Sequence, residues 1–263
     1  MAYECIRLET NEGVATLTLA RPATLNALSR PMLSEIIDAL RTLETQGEAR
    51  VLLLRGAGRG FSSGADLSGG GSPAGSSDFD AGAVLEEFYN PLIEQMFALP
   101  LPVIASVHGA AAGAGCMLAL ASDIVIAARS AYFLQAFVNV GLVPDAGSMW
   151  LLPRLVGRAR AQAMMMLGER VPATTAHEWG LIYQVVDDDA LSERTLELAR
   201  KLAKGPTRAY ALIRRGIRES FESTLTEALA MERSAQRAAG NTADFLEGLA
   251  AFRNKRAAQF QGR

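Results

Sequence analysis

With 263 residues and 49% hydrophobic content, the chain has apolar material for one substantial core and requires neither a metal nor disulfides to build it. A formal net charge of −2 offers no field suited to nucleic acid. The two cysteines, Cys5 and Cys116, stand at unrelated positions without a CxxC or Cys/His cluster, which argues against a metal site and fits a reduced cytoplasm. The opening residues, MAYECIRLETNEG, carry three glutamates and no apolar h-region, and nowhere do eighteen apolar residues run together, so neither export nor membrane insertion is expected.

In chain order, an alternating run at Cys5 to Leu8, then Gly13, then VATLTL at 14 to 19, reads as a β-hairpin closed by Arg21-Pro22. Residues 31 to 46 place Met32, Ile36, Ile37, Leu40 and Leu43 on one helical face, and VLLLRG at 51 to 56 follows as a continuous apolar strand. Alternation of strand and helix points to a partly parallel α/β sheet. The stretch from 59 to 83 begins as a tight turn and becomes rich in Gly, Ser and Asp; residues 68 to 83 are expected to be mobile and to become ordered when a ligand binds. A helix from about Val84 to Leu99 ends at Pro100, and strand PVIASVHG at 102 to 109 feeds the small-residue run Gly109 to Gly115. Strand, glycine-rich turn and helix thus recur at 51 to 67 and at 102 to 121.

The stretch from His108 to Trp150 concentrates the chemistry. Small residues let backbone N–H groups approach a ligand, and a helix starting in that run would aim those donors and its positive dipole end at the ligand. Close helix–strand packing is the alternative use of the same residues. IVIAA at 124 to 128 reads as a buried strand, and Gly141-Leu-Val-Pro-Asp145 as a turn ending in a carboxylate. Asp145 is either a base or the N-cap of the helix that AGSMWLL begins. His108 and His177 lie beside no Ser or Cys nucleophile pattern and read as structural. Met164 to Met166 read as core or subunit-interface filler. After residue 150 the chain is mostly helical, with long amphipathic segments from about Ala190 to Leu202 and from Pro206 to Arg237.

These patterns carry a resemblance. RPATLNAL (21 to 28), GAGRGFSSGADL (56 to 67), PVIASVHGAAAGAGCMLALASD (102 to 123), GLVPDAGSMWLLPRLVG (141 to 157), AHEWGLIYQVV (176 to 186) and EGLAAFRNKRAAQF (247 to 260) resemble the enoyl-CoA hydratase/isomerase family, the crotonase superfamily, in the right order over nearly the whole chain. The resemblance implies an α/β fold, a crotonase-like spiral of repeated ββα units over 1–195, with an α-helical C-terminal region over 196–263. It also implies a homo-trimer or hexamer, and an acyl-CoA thioester as substrate, with coenzyme A part of that substrate and no further cofactor. The thioester oxygen would sit between the backbone N–H groups of Ala65 and Ala114. Around it the resemblance places Ala27, Ser63, Gly64, Asp66, Leu67, Gly113, Met117, Phe137 and Trp150 as substrate-binding residues. Lys255 and Arg256 would either meet CoA phosphates or form a solvated helix end.

The departures from the hydratase pattern matter as much. Hydratases of this family carry two glutamates that hold and activate water, and the corresponding positions here are Met117 and Phe137, neither of which transfers a proton. Asp145 remains as the single carboxylate, and apolar surroundings would raise its pKa toward a useful base. The expected chemistry is isomerisation of a CoA thioester through an enolate: a 1,3 proton shift of an unsaturated acyl group, or rearrangement of an epoxidised phenylacetyl ring to an oxepin. Two alternatives stay open, an enoyl-CoA hydratase-like or aromatic-thioester enzyme using Asp145 as nucleophile, and a non-catalytic acyl-CoA-binding subunit.

Overall fold

The computed structural model describes residues 3–68 and 80–263. The Gly/Ser/Asp-rich stretch in which ligand-linked ordering is expected therefore lies, over 69–79, outside the described residues. β1 (Ile6–Asn11) and β2 (Val14–Leu19) form the expected antiparallel hairpin, Ile6 opposite Leu19 and Asn11 opposite Val14. Its turn, Glu12-Gly13, has both residues at positive φ (51° and 77°), the handedness that matches the twist of the flanking strands.

From β2 onward the chain winds as a spiral. The first turn runs from β2 through Leu28 into α1 (Arg30–Gln46), where the Ser29 side chain accepts the N–H of Met32 and caps the helix. All five apolar residues expected on the inner face of α1 are buried. The second turn runs from β3 (Val51–Gly56) through Ser62 and Ala65 to a π-helical turn at Leu85–Tyr89 and α2 (Asn90–Ala98). The expected helix at 84 to 99 is thus present, but its first turn is wider than α. Pro91 has no N–H to give, and the Asn90 N–H reaches back to the Leu85 carbonyl instead.

β4 (Val103–Val107), β5 (Ala110–Ala112) and α3 (Gly113–Leu120) make the third turn, and β6 (Ile124–Ala128), β7 (Tyr132–Leu134) and α4 (Ser148–Leu167) the fourth. Half of the small-residue run is therefore strand, and the helix starts only at Gly113. The turn after β3 also differs from its expected twin, because among the described residues the first helical element named after it is the π-helical turn at Leu85–Tyr89. All eight residues of α3 are buried, which explains why it is apolar all round. β8 (Arg170–Pro172), α5 (Ala173–Glu178), β9 (Gln184–Val186) and α6 (Leu191–Ala203) complete the spiral. The strands form a six-stranded sheet, β1-β2-β3-β4-β6-β9, parallel apart from the hairpin, and a second sheet, β5-β7-β8. Parallel bridges Leu28 to Ala65 and Ser62 to Ala111 extend the second sheet across the first two turns.

α6 closes the far face of the large sheet, with Ala199 and Ala203 packed among Val14, Val51, Leu53 and Ile104. The division expected after residue 195 falls inside this helix, and the chain breaks instead at Gly205-Pro206. α7 (Thr207–Ser220), α8 (Leu225–Gly240) and α9 (Ala243–Arg253) follow. The amphipathic run expected to continue from 206 to 237 is interrupted before Leu225. There Thr224 and Glu227 satisfy each other's backbone donors in a capping box, a start signal visible in the sequence itself. Two arginines fasten this region to the spiral. Arg214 pairs with Asp123 at 2.7 Å and donates to the Met96 and Leu99 carbonyls, and Arg50 donates to Thr207 and to the Gly205 and Phe260 carbonyls.

Candidate active site

Two loops meet backbone to backbone at the heart of the second sheet. Leu28 donates its N–H to the Gly64 carbonyl at 2.8 Å and accepts the Asp66 N–H at 3.2 Å, so the N–H of Ala65 between them faces away from Leu28. Gly64 has φ +94°, and a Cβ there would stand 2.8 Å from the Ala112 carbonyl oxygen and 3.5 Å from the Gly113 Cα. Gly113, at φ +50°, begins α3, which makes the Ala114 N–H one of the first-turn donors without an acceptor inside the helix. A Cβ on Gly113 would lie 3.9 Å from the tip of the Phe137 ring. Gly64, Ala65, Gly113, Ala114 and Phe137 are thus brought together, as expected, and Met117 lies one turn further along α3 with no exposed surface.

Ser62 and Asn26 hold the crossing. The Ser62 hydroxyl donates to the Asn26 carbonyl at 2.9 Å and accepts the Gly64 N–H at 3.2 Å, and a Cβ at Gly115 would overlap the Ser62 side chain. Asn26 is fully buried at φ +54°; its amide donates to the Ala57, Gly60 and Phe61 carbonyls while its Oδ1 accepts the Arg21 N–H. One side chain therefore satisfies four backbone groups that bend the chain into the Ala65 turn.

Asp145 enters from the fourth turn of the spiral. Its Oδ1 is buried with no hydrogen-bond partner among the described residues, and burial pushes its pKa up to about 6. The capping alternative fails, because α4 begins at Ser148 with Gly147 as its N-cap and no side chain caps it. Between carboxylate and helix, Ala146 and Gly147 both take positive φ (49° and 79°), an uncommon conformation for alanine. The turn is tied to α3 through a buried polar chain. The Ser148 N–H donates to the Asp145 carbonyl at 2.9 Å, its hydroxyl lies 3.1 Å from Gln135 Oε1, and the Gln135 amide donates to Cys116 Sγ and Met117 Sδ at 3.4 Å each.

The enoyl-CoA hydratase/isomerase family profile matches residues 9–263. The 1,2-epoxyphenylacetyl-CoA isomerase of Escherichia coli is 48% identical over 261 residues, 99% of each chain, and the 2,3-dehydroadipyl-CoA hydratase of the same organism is 35% identical over 252 residues, 96% of each. The crystal structure of an enoyl-CoA hydratase from Bacillus anthracis superposes with a TM-score of 0.91 at 33% identity, covering 99% of this chain and all of that one. The chain belongs to the enoyl-CoA hydratase/isomerase family.

The remaining residues expected around the acyl-CoA of this family member are placed as follows. The Ala27 carbonyl accepts from Arg21, which also pairs with Asp66 at 2.8 Å. Two hydrogen bonds from Ser68, together with that pairing, hold the Asp66 carboxyl below its usual range, so Asp66 tightens its turn and is a poor base. Ser63 donates to the Thr24 carbonyl, and Leu67 is largely exposed beside it. Trp150 is half-buried. Its ring packs edge-on against Phe97 and Phe221 beneath the Arg154 guanidinium, and its N–H reaches Glu222, so the indole joins α4 to α2 and the end of α7.

Sequence reading passed over Asn26, Ser62, Tyr89, Gln135 and Ser148. Asn26, four residues beyond Pro22 and tolerant of positive φ, carried a local turn signal. The others depend on contacts between spiral turns and left no periodic trace.

Proposed function

We propose that the protein is a CoA-thioester isomerase that works through an enolate, with Asp145 as its base. The reactions are conversion of 2-(1,2-epoxy-1,2-dihydrophenyl)acetyl-CoA to oxepin-CoA, 3-enoyl-CoA to 2-enoyl-CoA, or both. The observation that carries this reading is the Asp145 carboxyl, with one oxygen unpartnered and a pKa pushed up to about 6, on a turn tied to the helix that begins at the Ala65–Ala114 crossing. A carboxyl with that pKa is deprotonated at neutral pH yet basic enough to take a proton held beside a thioester carbonyl. The two alanine N–H groups receive the charge that moves onto the thioester oxygen; removing one such donor typically costs about 2.7 to 4 kcal/mol.

Asp145 takes the proton from the carbon next to the thioester, the electron pair moves onto the oxygen, and the carboxylic acid returns the proton elsewhere on the conjugated acyl group. With an epoxidised ring, the carbon–carbon bond shared by epoxide and ring opens as its electron pair and the two ring double bonds become three double bonds of the oxepin, and Asp145 then carries the proton from the carbon beside the thioester to a ring carbon, which moves one double bond out of the ring into conjugation with the thioester. Met117 and Phe137 supply no second acid or base, which favours isomerisation over hydration. Coenzyme A enters as part of the substrate, no resident cofactor is needed, and the setting is the cytoplasm. No helix among the described residues is long and apolar enough to cross a membrane.

The test is Asp145→Asn, assayed with both thioesters. Acyl-CoA binding is expected to survive while isomerisation falls by at least about two orders of magnitude, within the 10²- to 10⁴-fold that a general base contributes. A variant within a few-fold of wild type would place the base elsewhere.

A further inference from the structure

A second polar group stands at this site. Tyr89 is only 4% exposed, and among the described residues its hydroxyl has a single partner, the Leu28 carbonyl at 3.4 Å, close to the limit for a hydrogen bond. That carbonyl also accepts the Asp66 N–H and belongs to the ladder that orients Ala65, so the phenol oxygen sits against the back of the oxyanion turn. Ile93, one helical turn beyond Tyr89 on the same face, lies 3.6 Å from where a Cβ on Gly147 would be, which puts this face of α2 against the Asp145 turn. Burial, together with the charges of Asp145 and Asp66, pushes the Tyr89 pKa up, so the phenol keeps its proton across the working pH range. The π-helical turn at Leu85–Tyr89 is the local device that positions it, and such turns are frequent at functional sites.

We propose that Tyr89 is a specificity-determining residue whose hydroxyl donates a hydrogen bond to an oxygen carried on the acyl group of the substrate. A thioester held at Ala65 and Ala114 with its acyl group reaching toward Asp145 passes the phenol. The long bond to Leu28 is a weak resting contact, and Leu28 keeps the Asp66 N–H as a partner when the phenol turns to the ligand. A ring oxygen would find there a neutral donor in apolar surroundings, whereas an unsubstituted alkenyl chain would gain nothing. The inference rests on the isomerase reading and adds the feature that separates oxygenated from plain acyl groups.

The experiment compares wild type with Tyr89→Phe, using calorimetric binding of phenylacetyl-CoA and 2-hydroxyphenylacetyl-CoA. Wild type is expected to prefer the hydroxylated thioester by roughly 2- to 10-fold, the worth of one net hydrogen bond, and the variant to bind both alike. The same preference in both proteins, or none in wild type, would overturn the proposal. Tyr89→Met, which fills the space without a hydroxyl, answers the same question if the phenylalanine variant fails to fold. In turnover, Tyr89→Phe should lower kcat/KM for the epoxide and spare 3-enoyl-CoA; an equal loss on both would mark Tyr89 as packing alone and overturn the proposal. Failure of wild type to convert either thioester would count against the isomerase reading, and it leaves the binding comparison able to decide on Tyr89.

Discussion

As the proposed base, Asp145 makes activity and stability respond to pH in opposite directions. Only its deprotonated form is a base, so kcat/KM for isomerisation should rise with pH through about 6 and then level off, a limb that a pH–rate profile will show. The folded pKa lies above the unfolded value of about 3.9, so folding favours the protonated carboxyl. That stabilisation is fully present below about pH 4 and is lost as pH rises through about 6. Asp145→Asn is neutral throughout and escapes the loss. Its melting temperature should exceed that of wild type at pH 8 by roughly 2 to 4 °C, a figure for about 1 kcal/mol that already allows for partial exposure, and should match it near pH 4. Scanning calorimetry at the two pH values checks this, and an equal gap at both would mean that the charge of Asp145 is not the cause. Met117 and Phe137 make a separate prediction, that crotonyl-CoA is not hydrated at the ~1 to 10³ per second typical of enzymes.

The crossing of the Gly64 and Gly113 loops is the element on which the proposed oxyanion chemistry depends. Gly64→Ala adds a Cβ 2.8 Å from the Ala112 carbonyl at a φ that alanine resists, so the Ala65 turn must shift. The expected result is a loss in kcat of about 10²- to 10³-fold, as for removal of one oxyanion donor, with circular dichroism unchanged. Asn26→Ala attacks the same element from behind, stranding three carbonyls and the Arg21 N–H. It should destabilise by at least about 1 to 3 kcal/mol in denaturant titration. The strands and helices that frame this element were legible in sequence, because β2 alternates apolar residues with threonine, β3, β4 and β6 are largely apolar runs, and α1 shows a clean helical period. The π-helical turn before α2 and the split of the small-residue run into β5 and α3 were not. The first follows from Pro91, which has no N–H to give, and the second from the pairing of β5 with β7 in the next turn of the spiral, which periodicity along a single segment does not record.

At the scale of the molecule, the apolar surface on the helical region is unlike that of a lone chain. Ile213, Ile217, Leu225, Leu229, Phe245, Leu246 and Phe252 are all exposed on α7 to α9, and Val140, Leu142, Val143, Met166 and Leu167 are exposed around α4. Exposed apolar surface on this scale marks interaction sites, and the occupant in keeping with the expected trimer or hexamer is a second copy of the chain. Light scattering is expected to report an assembly larger than one chain, and Leu246→Glu with Phe252→Glu to shift it toward monomer. A monomeric wild type at micromolar concentration would count against that assembly.

The amino-acid sequence determined the elements and the chemical inventory. Local periodicity places the strands and α1, and the order of motifs points to the spiral. The residues at 117, 137 and 145 leave a single carboxylate, whose role follows from chemistry rather than position. Tertiary structure alone decided the rest. Whether Asp145 caps a helix or stands free depends on where α4 begins, and two consecutive positive φ values put that start at Ser148. What Trp150 packs against depends on Phe97 and Phe221, 53 residues before it and 71 after it, and on Arg154. The reason is common to both: a carboxyl's pKa and an indole's neighbours are set by groups from distant turns of the spiral, and desolvation exists only once those turns are packed.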